Sequence, residues 1–183
     1  YVIQYDYDLN GQTITLPAGC VLKFNGGSLA NGTLVGTNTR IIADETTIFK
    51  DIVMSSSGTW DVETLFSRWF ESSNEAVYST IDNLLNMNSE SISTNIYIRG
   101  DYDFVPTHAY YTQSVKSNTT FYVEGTITHV GEQNSKNLFD FGANAHDISF
   151  YGGTYIGSLK STDDSTTPNI EYGHCFMFRE ASN

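Results

Sequence analysis

The chain has 183 residues, 39% of them hydrophobic and 14% aromatic, which is enough to close one good-sized domain or two small ones and well above a disordered composition. Nine Lys and Arg against 21 Asp and Glu give a formal net charge of −12, which argues against a nucleic-acid partner and against attraction to anionic membranes. Only 16% of residues are charged, so Asn, Ser, Thr and Gly must supply most of the polar surface, a mix suited to extended β proteins that work outside cells.

Residues 1–60 read as short strands joined by turns. "YVIQYDYDL" leads to Asn10-Gly11, and "QTITLPAG" follows with Ile14 and Leu16 on one face. In "CVLKFNGGSLANGTLVGTNTRIIA", Leu22 and Phe24 share a face, and Leu29, Leu34, Ile41 and Ile42 resume the apolar theme. Asn-Gly recurs at 10–11, 25–26 and 31–32, where positive φ favours sharp reversal and hairpins are the local expectation. Cys20 heads an apolar strand and reads as a small buried hydrophobe. Cys175 lies far away; two cysteines make no disulfide framework, and a bridge between them stays open.

Residues 61–94 change character. Ala76, Val77, Ile81, Leu84 and Leu85 recur at helical spacing, which predicts a helix near 74–87, capped by Ser73 or Asn74, with Glu75 in its first turn and "NMNSES" ending it. Trp60, Leu65, Phe66, Trp69 and Phe70 form an aromatic connector. Core packing is their expected role, with sugar stacking by Trp60 or Trp69 the lesser alternative. No apolar run approaches the length of a membrane span.

From 95 to 183 the strand pattern returns. "NIYIRGDYDF" sets Ile96 and Ile98 inward and Tyr97 and Arg99 outward. "FYVEGTITHV" (121–130) and "ISFYGGTYIG" (148–157) repeat the phrase "LKFNGGSLANGTLVG" (22–36). Matching apolar positions puts Phe121, Val123 and Gly125 beside Ile148, Phe150 and Gly152, a spacing of 27 residues, and Leu22, Phe24 and Gly26 fit the same frame. Hairpins would fold back at constant spacing, which these segments do not. Each phrase is therefore expected to be part of one turn of a coil, with glycine at the corners and the apolar face completed by the next turn. "SLKSTDDSTTPNIEY" reads as an inserted loop.

The order of these parts resembles the start of a pectate-lyase-like right-handed parallel β-helix. In that superfamily a helix covers the first turn, and a phrase of the v-x-ϕ-P-x-G-x-Y kind opens the coil. "IYIRGDYDF" stands at that place, with Arg99 where proline is frequent. "YDLNGQTITLPAG" is similar to segments in proteins of gut Bacteroidetes and their phages. The resemblance implies a mostly all-β fold that starts a right-handed β-solenoid. It would have an N-terminal Gly/Asn-rich β segment over 1–60, a connector and capping helix over 61–94, and the first coil turns over 95–183. It also implies an elongated extracellular or virion protein that faces a polysaccharide or cell-surface glycan. Tailspikes of this kind are typically trimers and dock to a virion or tail protein. The expected function is the N-terminal portion of such a tailspike or tail fibre. The alternative is the leading segment of a secreted polysaccharide lyase or glycoside hydrolase. The opening and closing phrases suggest a piece of a longer protein, so that any catalytic residues are expected downstream.

Candidate site residues are few. Asp101 and Asp103 lie two apart on one strand face, where they can hold a cation such as Ca²⁺ or form half of an acid pair; a solvated corner is the plainer reading. Asp140 alternates outward between Phe139 and Phe141, where it can face a sugar groove, the lesser of its readings. Tyr97, Tyr102, Tyr110, Tyr111, Tyr122, Tyr151 and Tyr155 include several that alternation should expose; rings carrying a hydroxyl suit saccharides, with Tyr97, Tyr122 and Tyr151 the candidates, while ordinary strand surface or a subunit interface is the plainer reading. His174 in "GHCF" can line a cleft. Asp163 and Asp164 read as loop acids. His108, His129, His146 and His174 show no metal-ligand spacing, and no cofactor or resident metal is expected.

Overall fold

β-Branched and aromatic runs broken by Gly and Asn form strands of two to eleven residues. The computed structural model describes residues 1–75, 77–104, 115–130, 138–142, 144–157 and 175–178. In chain order these give β1 (Val2–Ile3), β2 (Tyr7–Asp8), β3 (Thr13–Thr15), β4 (Val21–Phe24), β5 (Leu29–Val35), β6 (Arg40–Ile42), β7 (Phe49–Met54) and β8 (Thr64–Phe66). A 3-10 turn (Ser67–Trp69) leads to β9 (Phe70–Glu71), the helix α1 (Thr80–Met87), β10 (Thr94–Arg99), β11 (Tyr102–Phe104) and β12 (Thr119–His129). β13 (Phe139–Phe141), β14 (Ile148–Ile156) and β15 (Phe176–Phe178) complete the described strands.

The strands form four sheets, and among the described residues every pairing is parallel. One sheet runs β1-β4-β6. A second runs β2-β5-β7-β9, with β3 also on β5. A third runs β8-β10-β12, with β11 and β14 also on β12, and β13 pairs with β15. A parallel neighbour needs a crossover, so each strand meets a partner many residues away, and among the described strands only β11 and β12 are both consecutive and paired. This overturns the local hairpin expectation. Asn10 and Gly11 both have positive φ (53° and 73°), yet β2 and β3 on either side of them lie against β5 instead of each other.

The expected 27-residue frame is also corrected. Phe121 pairs with Phe150 and Val123 with Gly152, two residues beyond the match made on apolar positions. A slip of two keeps every side chain on its own face, so apolar spacing alone cannot tell the two registers apart. Nor do Leu22 and Phe24 share that frame, since β4 pairs with β1 and β6 in a separate sheet.

One core cluster links these sheets, from Leu22 and Phe49 through Leu65, Ile96 and Phe121 to Phe139. Ile96 and Ile98 are buried, as alternation requires, while Tyr97 and Arg99 are half-buried on the other face. Trp60 and Trp69 are both core residues, and Trp69 Nε1 donates to the Asp44 carbonyl at 2.9 Å. Ile42, expected with the apolar set, is half-exposed. Cys20 and Cys175 are free thiols, so no bridge joins them. Among the described residues no helix is long and apolar enough to cross a membrane.

The helix begins later than its apolar spacing predicts. Ser79, not Ser73 or Asn74, is the N-cap, accepting from Asp82 N at 3.1 Å. Before it, Val77 N and Tyr78 N both donate to the Asn74 carbonyl, closing a separate turn that leaves Val77 exposed. Ala76 lies outside the described residues. Ile81, Leu84, Leu85 and Met87 carry the buried face.

Glu75 bridges that turn to the helix, with Oε2 accepting from Thr80 N at 2.8 Å and Oε1 from Thr80 Oγ1 at 2.9 Å. Burial raises the Glu75 carboxyl above its ordinary value, against the pull of those hydrogen bonds. A raised folded-state value means that the folded chain holds the proton more tightly than the unfolded one. This group's contribution therefore falls as pH rises from the ordinary glutamate value through the raised one. Glu75→Gln should flatten that part of the curve, measured as urea midpoints across the interval; an unchanged slope would contradict it.

Candidate functional site

Parallel register carries one feature of the surface. Leu65, Ile96 and Phe121 point inward, and the residues after them point outward in line: Phe66 pairs with Tyr97, Tyr97 with Tyr122, and Tyr122 with Tyr151. The four rings stack. Centroids are 5.4 Å apart for Phe66–Tyr97, 4.7 Å for Tyr97–Tyr122 and 5.4 Å for Tyr122–Tyr151, with planes within 22° of parallel. These separations follow the distance between neighbouring strands, so the sheet itself sets the ladder.

Stacking has a chemical consequence. The faces of Tyr97 and Tyr122 are covered by their neighbours, so the inner rungs offer edges and phenolic hydroxyls. Tyr151 differs: it is 57% exposed, and among the described residues no ring covers its far side.

Two residues before each ring, on the same face, a second column runs through Thr64, Asn95, Thr120 and Ser149. These are short, uncharged groups that both donate and accept. Two residues after the rings lie Arg99 and Glu124, also paired in register. The Arg99 guanidinium sits 5.7 Å from the Tyr97 ring centre and forms a close ion pair with Glu45. Its Nε lies 3.3 Å from Glu124 Oε2, and Arg68 reaches Glu45 at 3.8 Å. The hydrogen bond that Arg99 donates to Glu45, then the charges of Glu45 and Glu124, raise the Arg99 guanidinium above its ordinary value. The outward face thus has three parallel tracks: hydroxyl and amide, aromatic, and paired charge.

Of the sequence candidates, Tyr97, Tyr122 and Tyr151 come together here. Asp101 does not join them. Its Oδ1 accepts from Thr126 N at 2.8 Å, fixing the corner between the two halves of β12. Asp103 is exposed on β11, in register with Thr128. Among the described residues no three His, Cys, Asp or Glu side chains converge as a metal set.

Asp140 is a correction: it is 2% exposed rather than facing a groove. All three residues of β13 are buried, and a strand covered on both faces loses the in-out alternation on which the expectation rested. Tyr155 is half-buried. Its ring packs against Phe139, Phe150 and Phe176, and burial pushes its phenol up to about 12. Its buried hydroxyl has no partner among the described residues. Tyr155→Phe should therefore leave stability within about 1 kcal/mol of the parent or raise it, since no hydrogen bond is lost; a thermal melt decides this. Tyr102 is half-buried, its hydroxyl donating to the Arg99 carbonyl at 3.3 Å. His174, with His108, Tyr110, Tyr111, Asp163 and Asp164, lies outside the described residues.

Phe66 and the polar column were not foreseen as site residues. The signal was present as a repeated triplet of polar, apolar and aromatic residues: "TLF" at 64–66, "NIY" at 95–97, "TFY" at 120–122 and "SFY" at 149–151. No protein-family model, curated protein or solved structure gives a significant match to the chain.

Proposed function

We propose that the chain is part of a right-handed parallel β-helix whose ladder face recognises a glycan, as the N-terminal portion of a tailspike-like or fibre-like protein. The observation that carries this reading is the outward column Phe66–Tyr97–Tyr122–Tyr151 beside the column Thr64–Asn95–Thr120–Ser149. Hydroxyls, amides and ring edges repeated at strand spacing match a polymer of repeating hydroxylated units. The coil is supported by all-parallel pairing and by the parallel bridge of Thr39 with Trp60 and the hydrogen bond from Asp61 N to the Thr39 carbonyl, which tie the segment leading into β8 to the segment leading into β6. Strand–crossover–strand connections are right-handed in nearly all proteins, which supports the right hand in this reading. Homotrimer formation and attachment to a virion or tail protein belong to the same reading.

The test is retention of the purified chain on immobilised cell-surface and plant polysaccharides. Tyr151→Ala should raise the Kd of the retained glycan about tenfold, equivalent to about 1.4 kcal/mol. Tyr7→Ala, at an exposed ring on another sheet, should not change it. Absence of retention on any glycan would overturn the reading. Release of unsaturated uronate ends would replace it with a lyase.

A further inference from the structure

We infer that the ladder takes an uncharged glycan, lying across the strands with about one sugar unit per ring. This rests on the ladder being a glycan surface and adds the class and direction of the ligand.

The direction follows from the two columns. Both run along the stacking axis, perpendicular to the strands, at the ring spacings of 4.7 and 5.4 Å. That advance is close to one pyranose unit of an extended polysaccharide. A chain laid this way meets a phenolic hydroxyl on one side (Tyr97, Tyr122, Tyr151) and an amide or hydroxyl on the other (Asn95, Thr120, Ser149) at each step. A chain laid along a strand would meet that pair only once.

The charge class follows from how the cations are used. A uronate or sulfated sugar needs a cation to offset the removal of its charge from water. Beside the ladder, Arg99 is already shared by Glu45 and Glu124, and Arg68 leans on Glu45. Among the described residues, two arginines against two glutamates leave no local excess of positive charge, within a chain of formal net charge −12. An anionic glycan would have to break the Arg99 pairs and enter a repulsive field. Neutral hydroxyls face neither cost, and they match groups that donate and accept equally.

The experiment measures binding of two oligosaccharide series of increasing length to the full chain by titration calorimetry, at low and high salt. One series is neutral hexose oligomers, the other oligogalacturonides. The neutral series should tighten with length up to about four units and show little salt dependence. The uronate series should bind at least tenfold more weakly, with the gap narrowing as salt screens repulsion. Tyr122→Phe, which keeps the stack but removes a hydroxyl, should weaken neutral binding several-fold with an unchanged melting temperature. Glu124→Gln should narrow the gap between the series. Tighter uronate binding that weakens with salt would overturn the inference and leave the glycan surface standing. Affinity that stops growing after one unit would overturn the direction. Binding of neither series would remove the glycan surface itself.

Discussion

Replacing Asn83 with leucine should cost the fold about 3–5 kcal/mol, far more than its volume change implies. β9 covers β7 only at Phe49 and Lys50, so among the described residues no strand lies beside the outward backbone groups of Ile52 and Met54. α1 supplies the missing partner. Asn83 Oδ1 accepts from Met54 N at 2.7 Å, and Asn83 Nδ2 donates to the Ile52 carbonyl at 2.8 Å. One buried amide thus imitates the donor and acceptor of a strand residue, which leucine cannot do. Asn83 is 3% exposed, so water does not replace the lost partners. Asn86 makes a single bond of the same kind, to the Met54 carbonyl at 2.9 Å, from a half-buried position. Asn86→Ala should cost only about 1 kcal/mol. Urea midpoints of the two variants give the comparison. Equal losses would mean that the helix is held by its apolar face alone.

The same residue shows how far the sequence could be read. The helical stripe of Ile81, Leu84 and Leu85 was legible because burial of one face imposes a period. The role of Asn83 was not, since an asparagine on a helix has the same local pattern whether it meets water or a strand edge. Strand faces were legible for the same reason as the stripe: Ile96 in and Tyr97 out follow from alternation. Register was not, because Phe121 beside Ile148 and Phe121 beside Phe150 satisfy alternation equally. The observed register settles on ring against ring, with Phe121 and Phe150 stacked at 4.3 Å and 4°. That choice also aligns Tyr122 with Tyr151 on the other side. The inner stack and the surface ladder are therefore two faces of one pairing. At Asp140 alternation failed because cover on both sides of β13 is a tertiary fact. Tyr97, Tyr122 and Tyr151 could be singled out one by one, but their union required the register.

The second large effect is expected at a corner. Gly125→Ala should destabilise the chain by at least about 3 kcal/mol, while Gly100→Ala should cost about 1–2 kcal/mol. Both glycines have positive φ, 142° and 116°, so both substitutions strain the backbone. They differ in what a methyl group would meet. At Gly100 the nearest atom is the Tyr102 ring at 3.8 Å, an ordinary contact. At Gly125 the new carbon would lie 2.1 Å from the Gly100 carbonyl oxygen and 2.6 Å from its carbon, both of them backbone on the adjoining strand segment. No rotamer change relieves such a clash; β10 and β12 must part. Gly100 N donates to the Glu124 carbonyl at 2.9 Å, and Thr126 N is held by Asp101, so parting the strands strains hydrogen bonds on both sides of the corner. The irregularity between Val123 and Thr126 lies at this point, where β12 turns from its pairing with β10 to its pairing with β11. Urea unfolding of the two variants should separate them by more than about 1 kcal/mol. Near-UV circular dichroism of the tyrosines should change only for Gly125→Ala, since Tyr122 is three residues away on the same strand and loses its stacking distance when β12 moves. Matching losses for the two variants would mean that positive φ alone, and not the close approach of the strands, selects glycine at these corners.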